Sequence, residues 1–130
     1  MSRVGPRATS RIAMQPIKDI LQSDYCAQML RLLGDPERLL IIQALREGPK
    51  NVSEIGASTD QKIANVSHHL KVLREGGLVE SRREGRFVRY RLSPKTYIPT
   101  KSGPVEYLDI GCCRLEIPKE ARGKSSKGTK

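Results

Sequence analysis

Long apolar runs are missing from this 130-residue sequence, and no stretch reaches the roughly 18 apolar residues of a transmembrane helix. The first residues also lack the apolar core of a secretory signal peptide. We therefore expect a cytoplasmic protein that does not enter a membrane.

Cysteine and histidine are scarce, with three and two residues respectively. Three cysteines, two of them adjacent at Cys112 and Cys113, do not make the framework of a disulfide-rich secreted domain, so we expect reduced thiols. No cysteine, histidine and acidic residues are arranged with a motif that would orient them for catalysis, and the glycines form no phosphate-binding loop. The sequence therefore predicts a protein that is not an enzyme, and it indicates no cofactor.

Acidic residues are fewer than basic ones: the sequence has 14 Asp and Glu and 24 Lys and Arg, which gives a formal charge of +10. The excess is localised in the two ends of the chain and in residues 61–91, where eight Lys or Arg stand against three Glu. A polarised positive charge of this kind favours an anionic macromolecule, above all nucleic acid, over a role in solubility alone.

An amphipathic helix is predicted within the basic region. Val66, Leu70 and Leu73 recur at i, i+4 and i+7, which gives one apolar stripe, and Gly76-Gly77 can end the helix because glycine enters the left-handed region without a steric clash. The remaining faces present polar or small side chains that we expect to face DNA: Lys62, Ala64, Asn65, Ser67, His68 and Lys71. Asn65 suits an adenine edge, and Ser67 and His68 can donate to bases or phosphates.

A β-hairpin should follow this helix, because the period changes to two. Val88, Tyr90 and Leu92 alternate with Phe87, Arg89 and Arg91, and a tight turn is expected at Glu84-Gly85. Its candidate phosphate contacts are Arg82, Arg83, Arg86 and Arg89. The alternative to a DNA-binding helix and hairpin is a solvated helix beside a surface hairpin, or an interaction module that does not recognise DNA sequence.

Three blocks of the sequence, LGDPERLLIIQAL (33–45), NVSHHLKVLREGGLV (65–79) and EGRFVRYRL (84–92), resemble the winged helix-turn-helix repressors of the ArsR/SmtB type. The resemblance covers about residues 17–93. It implies a mainly α fold with a small β-hairpin (α+β), having four helices and a wing. It also implies a homodimeric repressor that binds double-stranded operator DNA at an inverted repeat and is often released by a metal or another small signal.

The sequence departs from that family at several positions. The turn before the predicted recognition helix carries Thr59, Asp60 and Gln61 where apolar residues and a glycine are usual, and Lys62 occupies a capping position that it cannot fill. The family's thiol site in the third helix would fall at 52–57, which has no cysteine, and no histidine follows the hairpin for its other site. His68 and His69 point about 100° apart on a helix, so they do not form a metal site together. We expect His68 to face DNA and His69 to lie at the domain surface.

The remaining helices precede this region, within a winged domain predicted to span residues 16–93. Residues 1–15 are expected to form a mobile basic arm, as either a plain disordered end or a segment that contacts phosphates.

The first helix, 17–33, begins near Pro16 and is the expected dimer interface, the alternative being a simple core helix. Asp35 should cap the second helix. Four apolar residues are predicted to form its buried side: Leu39, Leu40, Ile42 and Leu45. Val52–Ala57 is predicted as a short third helix capped by Asn51 or Ser53.

The C-terminal segment does not have the helical pattern usual in the related repressors. Residues 94–118 are predicted to be extended, with strands or a hairpin at 105–110 and 112–117, and the tail at 119–130 is predicted to be disordered. Cys112 and Cys113 allow two interpretations. They are small buried hydrophobic residues, or they join Cys26 in a site for a thiophilic metal ion if this segment folds back on the first helix. Adjacent residues of a regular strand point to opposite faces, so we prefer packing.

Overall fold

The computed structural model describes residues 15–121. The predicted arm and tail lie almost entirely outside the described residues. These residues form four helices and six strands, with the first strand between the second and third helices and the other five strands after the fourth helix. The helices are α1 (Ser23–Leu33), α2 (Pro36–Leu45), α3 (Val52–Thr59) and α4 (Ile63–Glu75). The strands are β1 (Lys50–Asn51), β2 (Val79–Glu84), β3 (Phe87–Leu92), β4 (Tyr97–Ile98), β5 (Val105–Asp109) and β6 (Arg114–Pro118).

The first helix is shorter than predicted, because α1 begins at Ser23 and residues 17–22 are not helical. Both carboxylate oxygens of Asp19 accept hydrogen bonds from the backbone amide of Ser23, at 3.0 and 3.1 Å, and the Ser23 hydroxyl donates to Oδ1 at 2.7 Å. Gln22 adopts the left-handed conformation just before the helix. Asp19 thus satisfies an amide of the first turn from outside the helix, a role that periodicity does not reveal.

Caps at the next two helices agree with the sequence. Asp35 Oδ1 accepts from the amides of Glu37 and Arg38 at 2.8 and 3.2 Å, which fixes the start of α2. Asn51 and Glu54 form a reciprocal capping box at α3, with both bonds 2.8 Å long. The third helix extends to Thr59, two residues beyond the prediction.

The buried side of α2 was predicted only in part. Ile41, Ile42, Ala44 and Leu45 are buried, whereas Leu39 and Leu40 are 41% and 43% exposed. Every residue from Leu39 to Leu45 except Gln43 is apolar, so periodicity cannot identify the buried face, and neighbouring elements determine it.

The turn before α4 is built by the residues that depart from the family pattern. Asp60 is left-handed at the end of α3, and the backbone amide of Gln61 donates to the Gly56 carbonyl at 3.1 Å. Lys62 precedes α4 without a side-chain cap, as its chemistry predicts. After Glu75 the chain leaves the helix through Gly77, whose φ of +80° favours glycine.

Two antiparallel sheets follow. The first has the order β1-β3-β2 and contains the predicted hairpin, with Glu84 opposite Phe87 and a two-residue turn at Gly85-Arg86, one residue later than predicted. The second has the order β4-β5-β6 and forms from the segment predicted to be extended. Arg46, which follows α2, donates to the Glu106 carboxylate of this sheet at 2.7 Å, and the Tyr97 hydroxyl donates to the same oxygen at 2.8 Å.

One apolar core joins all of these elements. Its most buried side chains include those of Ile41, Ile55, Leu70 and Leu73, from α2, α3 and α4. Leu108 and Ile110 extend the same cluster to the C-terminal sheet. Over residues 15–121, no helix is long and apolar enough to cross a membrane.

Candidate nucleic-acid interface

The residues predicted to face DNA lie on the exposed side of α4 and at its start. All six are solvent exposed: Lys62, Ala64, Asn65, Ser67, His68 and Lys71. Ala64, Ser67, His68 and Lys71 follow the i, i+3, i+4, i+7 spacing of one helical stripe. Val66, Leu70 and Leu73 point away from it into the core, as predicted. An α-helix with a free polar stripe has the width that the DNA major groove admits.

His69 is not at the surface, contrary to expectation, but is buried with 7% of its area exposed. Its Nε2 lies 2.9 Å from Oε1 of Glu37, and its Nδ1 lies 3.2 Å from Nη1 of Arg38. Both partners belong to the first turn of α2. The side chain therefore connects the two helices and sets their relative position, while its neighbour His68 stays free.

The hydrogen-bond roles of the two ring nitrogens of His69 follow from its partners. A guanidinium can only donate, so Nδ1 accepts from Arg38 and the proton sits on Nε2, which donates to Glu37. Arg38 also donates to the Leu32 carbonyl at 2.7 Å, at the end of α1. One arginine thus joins α1, α2 and α4.

Asp35, which caps α2, has a lowered pKa. Backbone hydrogen bonds from Arg38 and Glu37, together with the Arg38 charge, hold the pKa of Asp35 below 3.8 against the opposing effect of burial.

Gln61 makes a second connection between the turn and α2. Its side-chain amide donates to the Glu37 carbonyl at 3.1 Å. Its Oε1 is buried and finds no hydrogen-bond partner within residues 15–121. Sequence reasoning treated Gln61 only as a departure from the family pattern, but the structure gives it a role in positioning the start of α4.

The hairpin β2–β3, here called the wing, holds its arginines in two groups. Arg82, Arg83 and Arg86 are exposed, and none of them forms an ion pair among the residues the structure describes. Arg89 lies 3.1 Å from Glu84, and Arg91 lies 2.9 Å from Glu80. The uncompensated positive charge is therefore concentrated towards the tip of the wing.

Three contacts fix the wing relative to the helices. Arg74 of α4 donates to the Ser81 hydroxyl at 3.3 Å, and the Leu78 amide donates to the Leu73 carbonyl at 3.0 Å. Arg89 donates to the Pro49 carbonyl at 3.0 Å, next to β1. Arg89 is thus a structural contact of the wing as well as a candidate phosphate contact.

Two exposed apolar side chains near this surface were not selected from the sequence. Ile63, in the first turn of α4, is 55% exposed, and Phe87, at the tip of the wing, is 56% exposed. Large exposed apolar side chains often mark contact surfaces, and an aliphatic group can pack against a thymine methyl. Ile63 continues the Val66, Leu70 and Leu73 spacing, so periodicity predicts a buried side chain and gives no signal of its exposure.

Asp35, Glu37 and His69 bring ligand-type atoms within 4.8 Å of one another. The Arg38 guanidinium lies 3.9 Å from Asp35 and 3.2 Å from His69, which opposes a second positive charge there. This cluster is an interhelical hydrogen-bond network rather than a cation site.

The cysteines depart from the expectation of reduced thiols. Cys26 of α1 forms a disulfide with Cys112, and Cys113 is free. The C-terminal segment folds back on α1 and brings together residues separated by 86 positions, a proximity that the sequence did not predict. Cys112 and Cys113 also pack against the core, in agreement with the packing interpretation.

A helix positioned across a tight turn from a preceding helix and followed by a two-stranded wing defines the winged helix-turn-helix fold. Residues 35–81 match the family model described as bacterial regulatory protein, arsR family. The chain belongs to this family. It is 34% identical to a solved fragment of a possible transcriptional regulatory protein from Mycobacterium bovis, covering 57% of this chain and 80% of that one with a TM-score of 0.52.

Two further comparisons support the assignment. The chain is 41% identical over 68 residues to the arsenical resistance operon repressor of Escherichia coli, covering 52% of this chain and 58% of the relative. A second structure of the same Mycobacterium bovis fragment, described as the homodimeric winged helix-turn-helix DNA-binding domain of a possible ArsR-family transcriptional regulator, matches with a TM-score of 0.54 and 32% identity, covering 63% of this chain and 78% of that one. The chain spans less than two thirds of the length of the curated relatives it matches, as the 58% for the Escherichia coli protein illustrates.

Proposed function

We propose that this protein is a sequence-specific DNA-binding transcriptional regulator, a repressor that binds an inverted-repeat operator as a homodimer. The observation that carries the proposal is the free polar stripe of α4 beside three unpaired wing arginines, Arg82, Arg83 and Arg86. One short helix and one wing reach only a half-site, so two copies are needed for a full operator. The proposal assigns the chain no catalytic step.

Base recognition is assigned to α4. Asn65 has the donor and acceptor pair that matches adenine, and Ser67 and His68 can donate to base edges. Lys62 and Lys71, at the two ends of the exposed stripe, are assigned to phosphates, and Ala64 allows close approach. Ile63 is added as an apolar contact.

Phosphate binding is assigned to the wing. Arg82, Arg83 and Arg86 have no ion pair with a described residue, so they can approach phosphates without breaking one. Arg89 is a weaker candidate because it already contacts Glu84 and Pro49. We therefore expect Arg82, Arg83 and Arg86 to contribute more to phosphate binding than Arg89.

The dimer interface is assigned to α1 and the segment before it. Ile17 and Ile20 are 90% and 83% exposed, Leu21 is 56% exposed, and Leu30 on α1 is 45% exposed. Large apolar side chains exposed within residues 17–30 are unfavourable in water and suit contact with a second copy. The homodimeric relative supports a two-fold assembly.

A thiophilic ion is the proposed class of signal, since the arsenical resistance operon repressor of Escherichia coli is named for such chemistry. The third helix of this chain, Val52–Thr59, contains no cysteine. A signal of this kind would have to enter through the cluster of Cys26, Cys112 and Cys113.

The direct test is the affinity for a mixed-sequence duplex at 50 and 200 mM salt. With roughly 6 to 10 phosphate contacts per dimer, affinity should fall about a thousandfold or more over this range. Replacing Arg82, Arg83 and Arg86 together by alanine should remove most of the binding. The matched control replaces three exposed basic residues outside both the DNA surface and the proposed dimer segment, Lys95, Lys101 and Arg114, and loses the same charge.

The two triple variants separate the proposal from its alternative. Strong loss in the wing variant and little loss in the control variant supports a localised DNA interface. Equal losses indicate only a general charge effect. An intact fold with no duplex binding in the wild type indicates the interaction module.

A further inference from the structure

Residues 17–21, here called the entry turn, hold apolar side chains in an ordered and exposed position before α1. The Gln22 amide donates to the Asp19 carbonyl at 3.2 Å, and the Asp19 carboxylate accepts from the amide and hydroxyl of Ser23. A segment that is already ordered by its own hydrogen bonds loses little further freedom when it binds. Three large apolar side chains project from this turn, each of them more than half exposed: Ile17, Ile20 and Leu21.

An apolar groove lies between α2 and the C-terminal sheet, beside the edge strand β6. It has a volume of about 460 Å³, which is within the usual range of binding pockets. Leu39 of α2 is 41% exposed there. The apolar side chains along the groove come from both elements: Leu39 and Ile42 from α2, and Leu115 and Ile117 from β6.

Within residues 15–121, the entry turn does not cover the groove of its own chain, since the turn is exposed while the groove is open. Exposed apolar surfaces of this kind commonly mark contacts with another molecule. Both surfaces are covered at once if each of two copies inserts its turn into the groove of the other. In a two-fold dimer such a contact occurs twice, because a residue of one copy that touches the second copy is matched by the reverse contact.

We propose that the entry turn of one copy docks in the groove between α2 and β6 of a second copy, and that the two copies exchange this contact reciprocally. The contact rests on the homodimer proposed above, and it identifies the surface that receives Ile20. Each chain then contributes one turn and one groove to the interface.

The charges of the two surfaces are complementary. The Asp19 carboxylate faces back to the first turn of α1, whereas Lys18 has no ion pair with a described residue. At the groove, Arg46 is held in an ion pair of 2.7 Å, and Lys119 donates to a backbone carbonyl at 2.8 Å. The exposed carboxylate of Glu120, which also lines the groove, has no ion pair among residues 15–121. A positive turn thus meets a groove with uncompensated negative charge, which favours this pairing over contact between two like surfaces.

The experiment measures the dissociation constant of the dimer of the full chain by sedimentation. It compares two adjacent positions of α2, because Leu39 and Leu40 are 41% and 43% exposed but only the first of them lines the groove. Leu39→Lys should weaken the dimer about tenfold or more, since it puts a charge into an apolar contact that occurs twice. Leu40→Lys should stay within about twofold of the wild type. Thermal unfolding of both variants controls for the fold.

A mixture of two variants tests the exchange itself. Ile20→Glu and Leu39→Lys should each be mainly monomeric alone, because every contact between turn and groove then contains one charged side chain. In a mixed dimer, one contact keeps both wild-type residues, and the other brings together the two introduced charges of opposite sign. The mixture should therefore dimerise about tenfold or more tightly than either variant alone. A variant that fails to fold could not restore the dimer in this way.

Two results would overturn the proposal while the homodimer stands. One is an equal effect of Leu39→Lys and Leu40→Lys on the dissociation constant. The other is a mixture of Ile20→Glu and Leu39→Lys that stays as monomeric as its components, which would mean that the turn binds another surface. A wild type that is monomeric at micromolar concentration would contradict the homodimer and the contact together. A dimer that passes the mixture test but binds no duplex would contradict the proposed function alone.

Discussion

Nε2 of His69, on the recognition helix α4, lies 2.9 Å from Oε1 of Glu37, on α2. The adjacent His68 is exposed. Two neighbouring histidines thus have different roles, one in holding the helix and one in the proposed contact with DNA.

Replacing each histidine by alanine should separate these roles. His69→Ala should lower the free energy of unfolding by about 1 to 3 kcal/mol, because it removes a buried ring and leaves the mostly buried Arg38 guanidinium without one of its acceptors. His68→Ala should change stability by less than about 0.5 kcal/mol. Urea unfolding of both variants checks this, and an equal loss from the two would mean that the Glu37 contact contributes nothing.

The second prediction concerns the wing. Arg86→Ala should weaken binding to all duplexes, since Arg86 has no ion pair with a described residue. It should also reduce the slope of log affinity against log salt concentration by about one, because one counterion fewer is released. Arg91→Ala is the matched control, because Arg91 is held by Glu80 at 2.9 Å. Duplex titrations at several salt concentrations measure both. A larger loss for Arg91→Ala would place the DNA contact on the other face of the wing.

The third prediction concerns pH. Burial raises the pKa of Glu106, but hydrogen bonds from Tyr97 and Arg46 and the charge of Arg46 outweigh it and lower the pKa below 4.5. A carboxylate with a lowered pKa stabilises the fold above its unfolded pKa, and this contribution is lost as the pH falls through the folded value. Glu106→Gln should therefore be less stable than the wild type at pH 7, and the difference should shrink as the pH falls below about 4.5.

Urea unfolding at pH 7 and pH 3 measures that difference. Glu116→Gln, at an exposed position of β6, is the control and should show little difference from the wild type at either pH. A constant difference between Glu106→Gln and the wild type across this range would contradict the assignment.

The fourth prediction concerns the dimer. Ile20→Glu should shift the protein towards monomer, because Ile20 is 83% exposed in the single chain and is assigned to the partner contact. Phe87→Glu changes another exposed apolar side chain, 56% exposed on the wing, and should leave the assembly unchanged. Sedimentation at micromolar concentration distinguishes the two. Loss of dimer in neither variant would move the interface away from residues 17–33.

Local signals in the sequence predicted much of the helical part. Asp35 and Asn51 cap helices through their own nearby amides, and Val66, Leu70 and Leu73 form a stripe within a single helix. Each of these features depends on residues a few positions apart, so sequence spacing contains the information.

Features that depend on distant residues were missed or left open. The environment of His69 depends on Glu37 of α2, 32 positions earlier in the chain. The proximity of Cys26 to Cys112 depends on how a C-terminal turn docks on α1. Spacing along the chain cannot supply these contacts, because tertiary packing decides them.

The central claim is that α4 recognises base sequence as part of a two-fold dimer. Selection of bound duplexes from a random pool tests it most directly, with the wild type beside a variant in which Asn65, Ser67 and His68 are alanine. We expect the wild type to enrich an imperfect inverted repeat, and the variant to bind duplex DNA with an altered or relaxed base preference, each contact contributing about 1 to 3 kcal/mol. Enrichment of no motif by the wild type, or of the same motif by both proteins, would contradict the account.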